Sequence, residues 1–218
     1  MALTQDTQRP LWLQDSAAPF RTERLENGAL YLQLRQNDDA EGQSIAAFLD
    51  KVLEAARSDP PSFVIIDLRF NSGGDYTQTY RGMTDLPGAL PAGTPIYALT
   101  SSATFSAGIT SLVFLQMAAA PGQVQVVGQE VGDRMRFWSE GGDLRLPNSG
   151  AVLRFSTGFH AYDGNCGLPN ACYWLNYFYR PKTDGYGPDH HVPIRFEDYA
   201  QGRDLALETI LALQRAAQ

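Results

Sequence analysis

Lysine is almost missing from this sequence: Lys51 and Lys182 are the only two in 218 residues, and no basic run occurs. With a formal net charge of −7 the chain lacks the clustered cations that a phosphate backbone demands, which excludes nucleic acid as a partner. Long apolar runs are absent, so no transmembrane helix is expected. The opening MALTQDTQRPLWLQ has neither the basic start nor the apolar stretch of a signal peptide. Histidine is scarce (His160, His190, His191), and the two cysteines, Cys166 and Cys172, lie in the Gly/Pro loop CGLPNAC. No ligands surround them at metal spacing, so a zinc site is rejected. The pair reads either as a disulfide staple of an exported protein, the preferred reading, or as two ordinary thiols. Nothing in the sequence implies a cofactor.

What is present is a chain 44% hydrophobic and 19% charged, able to bury a core and of a length that suits one domain. Residues 1–27 are polar, and 1–24 read as an arm or the end of an upstream region, with a core over 25–218. Alternation predicts a strand over Ala29–Arg35, a turn over Asp38–Gly42, and a helix capped by Ser44 and running to about Arg57. The near-continuous apolar run Ser62–Phe70 predicts a strand buried on both faces, as do Pro95–Ser101 and Val124–Val127. Ser106–Ala119 reads as a helix with Ile109, Leu112, Val113 and Met117 on one side. Arg134–Trp138 and Asp143–Leu146, joined by SEGG, read as a hairpin; Ala151–His160 is a further strand, followed by an aromatic-rich loop. Asp204 caps a last helix, Leu205–Gln218. Alternating strands and helices with short links predict an α/β core with parallel pairing.

Two loops leave the ends of neighbouring buried strands, the edge where ligands collect in open α/β sheets. The first, Asn71-Ser72-Gly73-Gly74, can turn through positive φ and expose backbone N–H groups to a developing oxyanion, although taken alone a plain tight turn is the commoner explanation. The second belongs to TSSATFSAGITSL, which carries seven hydroxyls: Thr100, Ser101, Ser102, Thr104, Ser106, Thr110 and Ser111. Ser106 falls where loop becomes helix, at the positive end of the helix dipole, and Ala107 and Gly108 leave room for a substrate. The competing reading makes Thr104 or Ser106 an ordinary helix cap.

Taken together, VIIDLRFNSGGD followed by ALTSSATFSAG resembles the tail-specific (C-terminal-processing) serine peptidases, the tricorn-core peptidases and the interphotoreceptor retinoid-binding modules. The downstream stretches VVGQEVGDRMRF, LRLPNSGAVLRFST and YGPDHHVPIRFEDYAQGRDLALE are similar to later motifs of that family, so the likeness spans about residues 25–215. The resemblance implies a Clp protease/crotonase-like β/α spiral core with an added hairpin. It implies Ser106 as acyl-forming nucleophile and Gly73, Gly74 and the Ala107 amide as oxyanion donors, with Asp67 and Arg69 bracing the loop. It also implies an extended peptide or unfolded protein tail as substrate, a periplasmic or secreted location with a cytoplasmic one as the alternative, and an N-terminal domain, often with a PDZ module, ahead of this core.

The base is the point of departure. The tail-specific branch uses a lysine after the nucleophile helix, where this chain reads VGQEVGDRMRF without one, and the tricorn-like branch uses a histidine upstream, where this chain has none. Arg134 cannot substitute, because a guanidinium stays protonated. Glu130 and His160 are the remaining candidates. Three functions therefore compete: a serine peptidase acting through Ser106, a silent binding module for a peptide or apolar ligand on the same scaffold, and a crotonase-like acyl-CoA enzyme, which the motifs support least.

Overall fold

The computed structural model describes residues 9–164, 166–168 and 170–217. The chain divides into two compact units, one made of Met1–Gly132 with Tyr186–Gln218 and the other of Asp133–Gly185. The first is a six-stranded sheet in the order β1-β2-β3-β4-β5-β8. Its strands and helices run β1 (Phe20–Arg24), β2 (Leu30–Leu34), α1 (Ile45–Ser58), β3 (Val64–Asp67), α2 (Tyr76–Ala89), β4 (Ile96–Thr100), α3 (Ala107–Ala118) and β5 (Val124–Gly128). From β2 to β5, and on to β8 (His190–His191), every pairing is parallel; only β1 runs antiparallel to β2. The second unit holds the two-stranded ribbon of β6 (Arg136–Arg145) and β7 (Val152–Ala161), then the short α4 (Leu175–Phe178). The chain finishes in the first unit with α5 (Phe196–Ala200) and α6 (Leu205–Ala216).

All residues of β2, β3 and β4 are buried, as apolar strands covered on both faces must be. Tyr31, Ile65, Tyr97, Leu99 and Val127 form one face and pack with Ala206 and Ile210 of α6. The α1–α2 contact is close because Gly82 has no side chain: a methyl group there would lie 2.7 Å from Leu49 Cδ1. Among the described residues no helix is long and apolar enough to cross a membrane.

Several sequence expectations change. Residues 9–24 are not a loose arm: β1 extends the sheet, Trp12 is buried, and its ring stacks on Phe70 at 5.1 Å. Residues 1–8 and Gln218 lie outside the described residues. α2 escapes sequence reading because Gly82, Pro87 and Gly88 interrupt a polar segment, yet Tyr76, Thr79, Met83 and Leu86 make a buried stripe and Asp75 caps it by accepting from Thr77 N–H. α3 is buried on every side from Ala107 to Leu115, while Met117, expected inside, is 40% exposed. SEGG is no hairpin turn. β6 runs straight through it in constant register with β7 (Ser139↔Gly158, Gly141↔Ser156), with positive φ absorbed at Glu140 and Gly141, and the reversal comes at residues 146–151. The disulfide between Cys166 and Cys172 is formed.

Candidate active site

Five of the seven hydroxyls in the Ser/Thr-rich loop are engaged in hydrogen bonds. Thr104 Oγ1 donates to Leu68 O (2.8 Å) and accepts from Ser101 N–H; Ser101 Oγ donates to Arg69 O (2.6 Å). Thr100 Oγ1 donates to Gln129 O, Thr110 Oγ1 to Ser106 O, and Ser111 sits in a buried polar cluster. Ser102 is exposed. These bonds tie the β4–α3 loop to the end of β3.

Ser106 is different. It occupies the N-cap position of α3 but makes no capping hydrogen bond, and its backbone stands at φ 49°, ψ −122°, a region that L-residues rarely adopt. The hydroxyl is half-buried and has no hydrogen-bond partner among the described residues. A cap relaxes into extended backbone and uses its oxygen; this residue does neither. Such strain costs on the order of 1–3 kcal/mol and persists only where its surroundings enforce it, which is common at reactive positions.

The two sequence-predicted loops meet. A methyl group on Gly73 would lie 2.9 Å from Ser106 Cβ, 3.2 Å from its Oγ and 3.4 Å from the Ala107 nitrogen, so the glycine is what admits the serine. One on Gly74 would lie 2.5 Å from Asp38 Oδ2, and one on Gly108 2.5 Å from Asn71 O. The donors sort themselves differently from expectation. The Gly73 N–H turns inward to Asn71 Oδ1 at 3.1 Å, whereas the amides of Gly74 and Ala107 meet no acceptor among the described residues.

Behind the loops Arg69 is enclosed by two carboxylates, Asp67 (Nη2–Oδ2 2.6 Å) and Asp204 (Nη1–Oδ1 2.9 Å), and lies over the Trp12 ring at 4.6 Å. Burial pulls its pKa down, but the two carboxylates more than offset that and the net shift is upward. Tyr31 donates to Asp67 Oδ2 at 2.7 Å, and burial first, then Asp67, pushes its phenol well up. The cluster ties the end of β3 to β2, to Trp12 and to the cap of α6.

Neither candidate base is joined to Ser106. Glu130 is exposed after β5, beside Gly187. His160 belongs to the second unit, 3% exposed, its ring stacked on Phe137 at 4.7 Å and against Tyr173 at 4.9 Å. Its Nε2 is 3.5 Å from Glu140 Oε1 and makes no hydrogen bond. Burial lowers its pKa from 6.5 to about 4 and raises that of Glu140. An unfolded histidine takes up a proton near pH 6.5 that folded His160 refuses until about pH 4. Its contribution is therefore complete above pH 6.5 and lost as pH falls towards 4. His160→Phe is expected to recover about 2 kcal/mol relative to wild type at pH 4.5 compared with pH 7. Urea unfolding followed by tryptophan fluorescence at the two pH values measures this, and parallel pH dependences would refute it.

No family model and no curated protein sequence matches the chain. Solved structures do. A candidate peptidase from Parabacteroides merdae shares 20% identity over 89% of this chain with a TM-score of 0.56, and a candidate S41 protease from Bacteroides fragilis shares 14% over 91% with 0.51. A lipoprotein from Streptococcus agalactiae (14%, 93% of this chain and 71% of its own, 0.56) has the same architecture. The chain spans 64% and 57% of the two peptidase-like chains. These likenesses establish an α/β fold of the S41-peptidase type, with its mostly parallel sheet flanked by helices. They do not distinguish the tricorn-core or retinoid-binding branches.

Proposed function

We propose that the chain is the core of a serine peptidase in which Ser106 Oγ attacks a peptide carbonyl. The Oγ–C bond forms as the hydroxyl proton passes to a base, and the Gly74 and Ala107 amides hold the oxyanion. The amine then leaves with a proton and water releases the acyl group. The observation that carries this reading is Ser106 itself: strained, half-buried, unpartnered and in contact with the diglycine bend. The base must reach Ser106 from a group not bonded to it now. Substrates of the class proposed are extended peptides or unfolded protein tails. The Cys166–Cys172 disulfide and the lipoprotein of like fold support a periplasmic or secreted location over a cytoplasmic one.

A second reading, a silent binding module for a peptide or apolar ligand, is favoured by the lack, among the described residues, of a base bonded to Ser106 and by the exposed rings of Trp174, Tyr177 and Phe178. The full-length protein incubated with a fluorogenic peptide library separates the two. Hydrolysis reduced at least about 1,000-fold by Ser106→Ala is expected. Peptide binding without turnover establishes the second reading, and turnover unchanged in the variant removes Ser106 from the chemistry.

A further inference from the structure

Asn37, on the link between β2 and α1, is fully buried and touches both halves of the candidate site. Its backbone N–H donates to Gly73 O at 2.8 Å. Its side-chain oxygen accepts from Asn71 Nδ2 at 2.7 Å, and Asn71 Oδ1 in turn accepts the Gly73 N–H. Its Nδ2 lies 3.1 Å from Ala107 O, 2.7 Å from Ser111 Oγ and 2.8 Å from Thr79 Oγ1, three acceptors for two hydrogens. We infer that Asn37 is the positioning residue that holds the diglycine bend and the nucleophile turn in one register; this rests on the serine-peptidase reading above.

The reason is the geometry of the peptide plane. In a trans peptide the C=O of one residue and the N–H of the next point in opposite directions. By holding Gly73 O, Asn37 fixes the plane that carries the Gly74 N–H and directs that amide away from the buried cluster. Through Ala107 O the same residue grips the first turn of α3, whose preceding plane is held by the Thr110 N–H on Ser106 O at 3.1 Å. The backbone N–H of Asn37 thus holds the plane of the Gly74 amide, while its side chain joins Ala107 O to Asn71, whose Oδ1 holds the Gly73 N–H. Asparagine is the residue that does this: it offers an acceptor and a two-hydrogen donor on a short stem, whereas aspartate cannot donate to Ala107 O. A buried polar cluster brings no clear gain in stability over apolar packing and loses heavily if half-satisfied, so its presence beside Ser106 fits a geometric role.

The test uses full-length protein and an alkyl fluorophosphonate, measuring the second-order labelling rate, kcat and KM on a peptide substrate, and Tm. Asn37→Ala is expected to lower labelling and kcat about 100-fold with KM within about threefold, by analogy with loss of an oxyanion donor. Asn37→Asp, nearly isosteric, is expected to do the same and carries the test if the alanine variant does not fold. Tyr31→Phe, which loses a buried hydrogen bond at the Asp67 cluster, supplies the structural control: a lower Tm with an unchanged labelling rate. Asn37 variants that label within threefold of wild type, or that fail to fold altogether, overturn the inference and leave the serine reading standing. Wild type that does not label ends the serine reading, and this inference with it.

Discussion

Gly73→Ala is expected to cost about 2–4 kcal/mol of stability and at least about 100-fold in the reactivity of Ser106. Gly73 stands at φ 123°, where an L-residue is strained whatever the space, and its new methyl group would lie 2.9 Å from Ser106 Cβ. The serine has little room to retreat, because its backbone already stands at φ 49° on the first turn of α3. Gly42→Ala separates strain from contact: Gly42 also has positive φ (73°), but a methyl group there meets nothing within 4 Å. The control is expected to lose about 1 kcal/mol and no reactivity. Urea unfolding paired with fluorophosphonate labelling reads both quantities. Equal behaviour of the two variants would mean that the Gly73–Ser106 contact does not matter.

Arg69→Met is expected to destabilise the first unit by about 3–5 kcal/mol, a fall in Tm of roughly 10 °C. The arginine is 3% exposed and is the cation between two carboxylates, of which Asp67 is wholly buried. Removing it leaves Asp67 with Tyr31 as its remaining side-chain donor and frees Asp204, the cap of α6. An uncompensated buried carboxylate is far costlier than the loss of packing, since methionine fills much of the same space. The Ser101 Oγ bond to Arg69 O uses only the backbone of Arg69, so the loop that carries Ser106 keeps that tether. Differential scanning calorimetry measures the effect; a Tm within 2 °C of wild type would show that the cluster does not brace the fold.

The parallel core was legible because β3, β4 and β5 are short apolar runs bounded by Gly/Pro signals, and burial on both faces leaves no other use for them. The helix after NSGGD was not, because its inward stripe is built from Tyr76, Thr79, Met83 and Leu86 around interrupting glycines. β1 was missed because an edge strand needs only one inward apolar residue, here Phe20, and FRTER otherwise reads as solvated. SEGG misled because a glycine pair that usually makes a turn here sits beside positive φ inside a long strand of unbroken register. That the Gly73 bend would lie beside the Ser106 turn was expected from the resemblance of their two motifs to the tail-specific peptidases, and the fold does bring the two loops together. The inward turn of the Gly73 amide and the placement of Asn37 were not legible, since a buried asparagine on a link carries no periodic signal; only the fold brings residue 37 to residues 73 and 107.

We propose Ser106, strained and without a hydrogen-bond partner among the described residues, as the nucleophile. Treating the full-length protein with an alkyl fluorophosphonate and mapping the adduct by peptide mass spectrometry tests it directly. A single adduct on Ser106, absent from Ser106→Ala, is expected. No adduct, or one placed on Ser102 or another hydroxyl of the same loop, would contradict it.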